Sequence, residues 1–196
     1  MREATTSYVA LLRGINVGGK HIVPMKQLAE LFAECNCSKV CTYIQSGNVI
    51  FRASPATVKQ LAKAVTKRME DRFGFSAPVI IRSSEQLAQA IRANPFLKAG
   101  RLERELHMYF LAGEPRTEDV RSLDPGRSAP DEFYVSGQEI YLYLPKGMAR
   151  TKLTNAYFDS RLSTVATARN WATVLKLHEM MQSKGVQGAG LSTPDV

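Results

Sequence analysis

The segment Arg13-Gly14-Ile15-Asn16-Val17-Gly18-Gly19-Lys20 combines two cations with glycines that let backbone amides approach an anion closely. Gly14, Gly19 and Lys20 stand at the spacing of a nucleotide P-loop. His21, however, takes the place of the hydroxyl that would hold magnesium, and Ile22-Val23-Pro24 separate the second glycine from the next helical pattern. No apolar strand ending in aspartate supplies a second metal anchor. The segment reads either as an anion-binding loop or as a tight strand-to-helix connection with solvated basic ends. A second candidate is Gln45-Ser46-Gly47-Asn48, which places two amides at a hairpin tip, where turn geometry alone also favours Gly and Asn. A third lies near the end of the chain. Arg169, Thr173 and Lys176 are spaced i, i+4, i+7, so on a helix they share the face opposite Trp171, and Lys146, Arg150 and Lys152 upstream extend them into a basic wall.

Other reactive residue types point to packing. Cys35, Cys37 and Cys41 are the only cysteines; a zinc site needs about four ligands, and His21 alone stands near them in sequence. Cys35 is expected at a helix end and Cys41 in a strand, with no metal and no cofactor. His107 falls in a strand pattern and His178 on an apolar helix face. No strand–turn–helix nucleophile elbow is present. Lys59, Lys63 and Lys67 form a solvated stripe on one helix.

The elements that must position these groups follow from periodicity. Tyr8-Val9-Ala10-Leu11-Leu12, stopped by Gly14, reads as a buried strand. Met25, Leu28, Phe32 and Cys35 recur at helical spacing behind Pro24. Val40–Gln45 and Asn48–Arg52 read as a hairpin around Ser46-Gly47. Ser54-Pro55 opens a helix that Gly74 closes. Pro78–Ile81 is a strand, and Ser83 with Gln86 forms a capping box for a further helix. The order β-α-β-β-α-β is the ferredoxin-like pattern.

A second pass begins at Leu106–Leu111, continues through a short helix near Thr117–Ser122, and reaches a hairpin, Phe133–Val135 and Ile140–Leu144, around another Ser-Gly turn. Thr154 caps a helix with Leu153 and Phe158 as its staple, and Trp171, Val174, Leu175 and His178 mark a final helix. The expected fold is α+β: two βαββ-type subdomains, the N-terminal one ferredoxin-like, with C-terminal helices packed on them. The expected bounds are 7–93, 105–183 and a loose tail at 184–196.

Charge narrows the function classes. The 196 residues carry a formal net charge of +8, with 44% hydrophobic and 22% charged residues, which are ordinary globular values. Residues 1–100 and 145–196 are basic, and residues 101–144 are acidic. A basic chain favours polyanions or anionic small molecules as partners. The apolar runs fall far short of a bilayer span, and the first residues show no apolar signal core, so no membrane partner and a cytoplasmic location are expected.

Four separated blocks carry a resemblance: Tyr8–Lys20, Thr42–Phe51, Lys152–Phe158 and Ala168–Leu177. In content and order they resemble the bacterial domain-of-unknown-function family numbered 1697. The resemblance implies an α+β fold with a ferredoxin-like subdomain and no established activity. It implies recurring positions at Arg13, Gly14, Asn16, Gly18, Gly19, Gln45, Ser46, Gly47, Asn48, Thr154, Asn155, Arg169, Asn170, Trp171, Thr173 and Lys176. Leu175 stands where members often carry Thr.

The reading reached from sequence is a binding module for an anionic or phosphate-bearing ligand, with nucleic acid among the options, Phe51 as a candidate base-stacking residue, and Lys20 and Arg13 serving phosphate. Arg169 or Lys176 is expected at the rim of the site, within reach of an anion held by the Gly18 and Gly19 amides, with the glycine-rich loop and the polar face of the last helix close together. The alternative is an enzyme acting on a small anionic substrate with no identifiable catalytic group. The oligomeric state is not legible.

Overall fold

The computed structural model describes residues 5–183. The expected tail at 184–196 lies outside the described residues. Strand β1 (Thr6–Leu12) is followed by α1 (Met25–Glu34), β2 (Ser38–Tyr43), β3 (Asn48–Ala53), α2 (Pro55–Phe73), β4 (Val79–Ser83) and α3 (Ser84–Ala93). A short helix, α4 (Pro95–Lys98), leads to β5 (Leu106–Leu111), α5 (Thr117–Arg121), β6 (Glu132–Ser136), β7 (Glu139–Tyr143), α6 (Asn155–Leu162), β8 (Ala166–Asn170) and α7 (Trp171–Gln182).

The two sheets are four-stranded, with orders β2-β3-β1-β4 and β6-β7-β5-β8, and every pairing is antiparallel. The second half is therefore more complete than the sequence suggests. Residues 166–170 form a fourth strand, so both halves carry the full ferredoxin-like order and each ends in a helix that leaves its last strand directly. Arg169 consequently lies on β8 and not on the final helix, which corrects the shared helical face expected for Arg169, Thr173 and Lys176.

Local signals act where expected. Ser54 accepts the Thr57 amide as N-cap of α2, Pro55 occupies its first turn, and Gly74 closes it in the left-handed conformation at φ 76°. Ser83 and Gln86 form the reciprocal capping box of α3. Thr154 caps α6 through the Tyr157 amide, and Asn170 caps α7 through the Thr173 amide.

Alternation along the strands sorts side chains into three cores. Ala10, Leu12, Val49 and Phe51 join α1 and α2 on the outer face of the first sheet. Tyr109, Leu111, Ile140 and Leu142 join α6 on the outer face of the second. Between them, Val9, Leu11 and Ile50 share a central core with Leu106, Met108, Phe110 and Tyr141, and α3 and α7 contribute Leu87, Trp171, Val174 and Leu177. The inner faces of both sheets are thus closed against each other and those helices. The cysteines behave as small apolar residues. Cys35 and Cys37 lie in the first core, and burial raises all three thiols, Cys37 to about 12, away from the thiolate that a metal or nucleophile requires.

Trp171 is 1% exposed in the central core. Trp171→Ala is expected to cost about 3–5 kcal/mol. Thermal unfolding checks this, and a midpoint shift no larger than that of a surface substitution would contradict it.

Candidate functional site

Three of the four signature blocks meet where β1 ends, and Asp159, one residue past the remaining block, reaches Arg13 there. Arg169 makes the link. Its side chain projects from β8, its residue is 8% exposed, and its guanidinium is surrounded by oxygens. Nε donates to Asn48 Oδ1 at 2.5 Å. Nη2 donates to the carbonyls of Leu12 at 2.9 Å and Ser46 at 3.0 Å, and Nη1 to Thr167 Oγ1 at 3.0 Å and the Ala168 carbonyl at 2.7 Å. All these acceptors are neutral, and burial brings the guanidinium down to about 10. Asn48, fully buried, completes the arrangement: its Nδ2 donates to the Tyr43 carbonyl and to Ser46 Oγ. Gly47 is required in the same turn. Its φ is 74°, and a Cβ there would meet Leu12 Cβ at 2.9 Å and Ile15 at 3.0 Å.

The other half repeats the device. Arg82 on β4 is 4% exposed and donates through Nη2 to the carbonyls of Leu111 and Gln138 and through Nε to Glu139 at 2.8 Å. The positions correspond one for one. Arg82 pairs across from Val9 and Arg169 across from Met108, each three residues before the receiving leucine carbonyl. The Leu12 amide donates to the Gly47 carbonyl as the Leu111 amide does to that of Gln138. Asn48 stands where Glu139 stands. Each sheet therefore sends an arginine from its edge strand into the hairpin turn of the other.

The remaining predicted residues are placed as follows. Arg13 forms an ion pair with Asp159 of α6, whose other oxygen accepts the Ala166 amide at 2.8 Å, and both side chains are about three-quarters buried. Tyr109 lies within electrostatic reach of this pair. Burial raises its hydroxyl to about 12, Arg13 pulling it down and Asp159 pushing it up. Asn16 pins the glycine-rich loop, donating to the carbonyls of Val23 and Gln45 while accepting the Val23 amide. His21 stacks on Phe75 and its Nδ1 lies 3.1 Å from the Gly14 carbonyl. Residues 17–20 form a small bridged tip, not a P-loop wrapped on a helix. Thr154 and Asn170 are occupied as helix caps, and Thr173 is buried. Asn155 keeps a buried, unpaired Oδ1. Lys176 pairs with Glu179 at 2.9 Å.

Arg169 therefore does not stand at an open rim, because it is buried and its donors are taken within the protein, and Lys176 and Arg13 are each paired with a carboxylate. Phe51 is 0% exposed in the outer core and stacks with Tyr8, so it offers no face to a base. Lys146, Arg150 and Lys152 do not form a wall with Arg169. They line a separate cleft with Arg127, a residue that sequence reading passed over because it stands alone in an acidic stretch. The groups left open at the junction are Lys20, the exposed Gln45 side chain, and the tip amides of Gly18 and Gly19.

The chain belongs to the family described as "Protein of unknown function (DUF1697)", whose model matches residues 5–141. Among solved structures it is similar to the conserved bacterial protein SP0830 from Streptococcus pneumoniae, with a TM-score of 0.68 and 25% identity, covering 91% of this chain and all of that one. No curated protein matches the chain. Among the described residues, no helix is long and apolar enough to cross a membrane.

Removing Arg169 leaves Asn48 Oδ1 and buried carbonyls without their donor. Arg169→Ala is expected to cost at least about 3 kcal/mol, since hydrogen bonds to charged groups contribute about 1.5–3 kcal/mol each. Arg13→Ala, at a partly exposed ion pair, is expected to cost about 1 kcal/mol. Urea unfolding of both variants measures the contrast, and equal losses would contradict it.

Proposed function

We propose that this chain is a binding module for an anionic, phosphate-bearing ligand, received at the tip of the glycine-rich loop. The observation that carries the reading is a set of unspent donors on a braced loop. Among the described residues, the Gly18 and Gly19 amides make no hydrogen bond within the protein, and Lys20 makes no ion pair. Positions 18 and 19 have φ of 58° and 73°, with nothing within 4 Å of where a Cβ would stand. Glycine amides in open space beside a lysine suit an oxyanion, and Asn16 holds the loop so that little ordering is needed on binding.

Nucleic acid enters this reading only through its phosphate backbone, because both faces of the first sheet are covered. The carboxylate of the junction, Asp159, is held by Arg13 and the Ala166 amide, which favours binding over turnover.

Calorimetric titration with a nucleoside monophosphate and with a short single-stranded RNA tests the proposal. Lys20→Ala is expected to weaken binding about tenfold or more, the effect of losing one charge-assisted contact, with the thermal midpoint unchanged. Unchanged affinity in that variant would reject the loop tip as the site.

A further inference from the structure

We propose a second anion site, independent of the glycine-rich loop, in the cleft between residues 126–131 and 146–152, and we assign it to the phosphate group of a small molecule. The cleft has a volume of about 320 Å³ and is lined by Arg127, Lys146, Arg150 and Lys152. That volume lies at the lower end of small-molecule sites, which span roughly 300–1,000 Å³. Among the described residues none of these four cations makes an ion pair, whereas Arg13, Arg68, Arg72, Arg82, Arg101 and Arg116 all pair with carboxylates. Four like charges around one concavity repel one another, and an anion relieves that repulsion.

The frame is built before any ligand arrives. Ser128, 9% exposed, accepts the Lys152 amide at 2.9 Å and donates to Asp131 Oδ2 at 2.7 Å, which ties the two segments together. Arg127 donates through Nε to the Lys152 carbonyl at 3.1 Å and lies 4.1 Å from the Tyr157 ring centroid, which fixes its fork and leaves both terminal nitrogens unpaired. Asp131 is the one carboxylate in the lining. It is 7% exposed and already accepts the Ser128 hydroxyl, so the lining remains strongly positive. A braced guanidinium with three flexible cations suits a compact, multiply charged oxyanion such as a phosphomonoester.

The test uses the full chain labelled with 15N and titrated with inorganic phosphate. Saturable amide shifts at residues 126–131 and 146–152 are expected, fitting an affinity of their own whether or not residues 18–20 also shift. Lys146 and Arg150 are exposed and make no side-chain hydrogen bond, so Lys146→Gln with Arg150→Gln is expected to keep the fold while weakening phosphate about tenfold or more. Arg150→Glu, a charge reversal, is expected to abolish the shifts. Lys20→Ala is expected to leave them unchanged, which separates this site from the loop tip. Shifts spread over the whole basic surface, or affinity unchanged in both cleft variants, would overturn the proposal. Tight single-stranded RNA binding that these variants abolish, without saturable phosphate shifts, would overturn it in favour of a polymer backbone.

Discussion

A buried guanidinium imposes a demand that the rest of this molecule is arranged to meet. Five donors in a fixed plane must find acceptors once water is removed, and an unpaired one is costly. Arg169 finds its acceptors in Asn48, Leu12, Ser46, Thr167 and Ala168, which belong to both sheets. Arg82 finds its acceptors in Glu139, Leu111 and Gln138, and in its own neighbour Ile81. The acceptors sit correctly only if both hairpins turn tightly and both edge strands stay in register. The apolar contacts of the central core are non-directional, with Tyr141 donating one hydrogen bond across it to the Ala90 carbonyl. The two arginines fix one relative placement.

That demand also explains why a chain rich in polar signature residues presents so few of them to solvent. Asn48, Arg169, Asn16, Thr154 and Asn170 each complete a backbone or side-chain partner inside the protein. Such residues look like a binding constellation because they are polar and close together. Their geometry shows that they act as braces, and the exposed cations stand on what they brace. The exposed Lys20 tip is held by Asn16, and the cleft at residues 126–152 is held by Ser128.

The sequence made the local grammar legible. Ser54, Pro55 and Gly74 bounded α2, the Ser83/Gln86 box opened α3, and the apolar run at Tyr8–Leu12 marked a strand buried on both faces. Trp171 was placed in a core by its spacing with Val174. Strand β8 was not legible, because it is five residues long, rich in alanine, and passes into α7 with no loop between them. The β-branched Val165 and Thr167 were the available signal. Missing β8 carried Arg169 onto the wrong element, since arginine, threonine and lysine at helical spacing imitate a solvated face. Its 157-residue reach to Leu12 has no local trace at all. The cleft was half legible: Lys146, Arg150 and Lys152 stood out, but Arg127 joins them only through the tertiary fold.

The reciprocal exchange of arginines also sets an order on synthesis. The first sheet is complete in sequence by residue 83, yet its hairpin turn receives its donor from residue 169. While the chain is being made, that turn holds its carbonyls open to water until nearly all the described residues have emerged. Arg82, made early, waits in turn for Glu139. The two turns therefore gain their buried donors and acceptors only when both halves are present on the same chain.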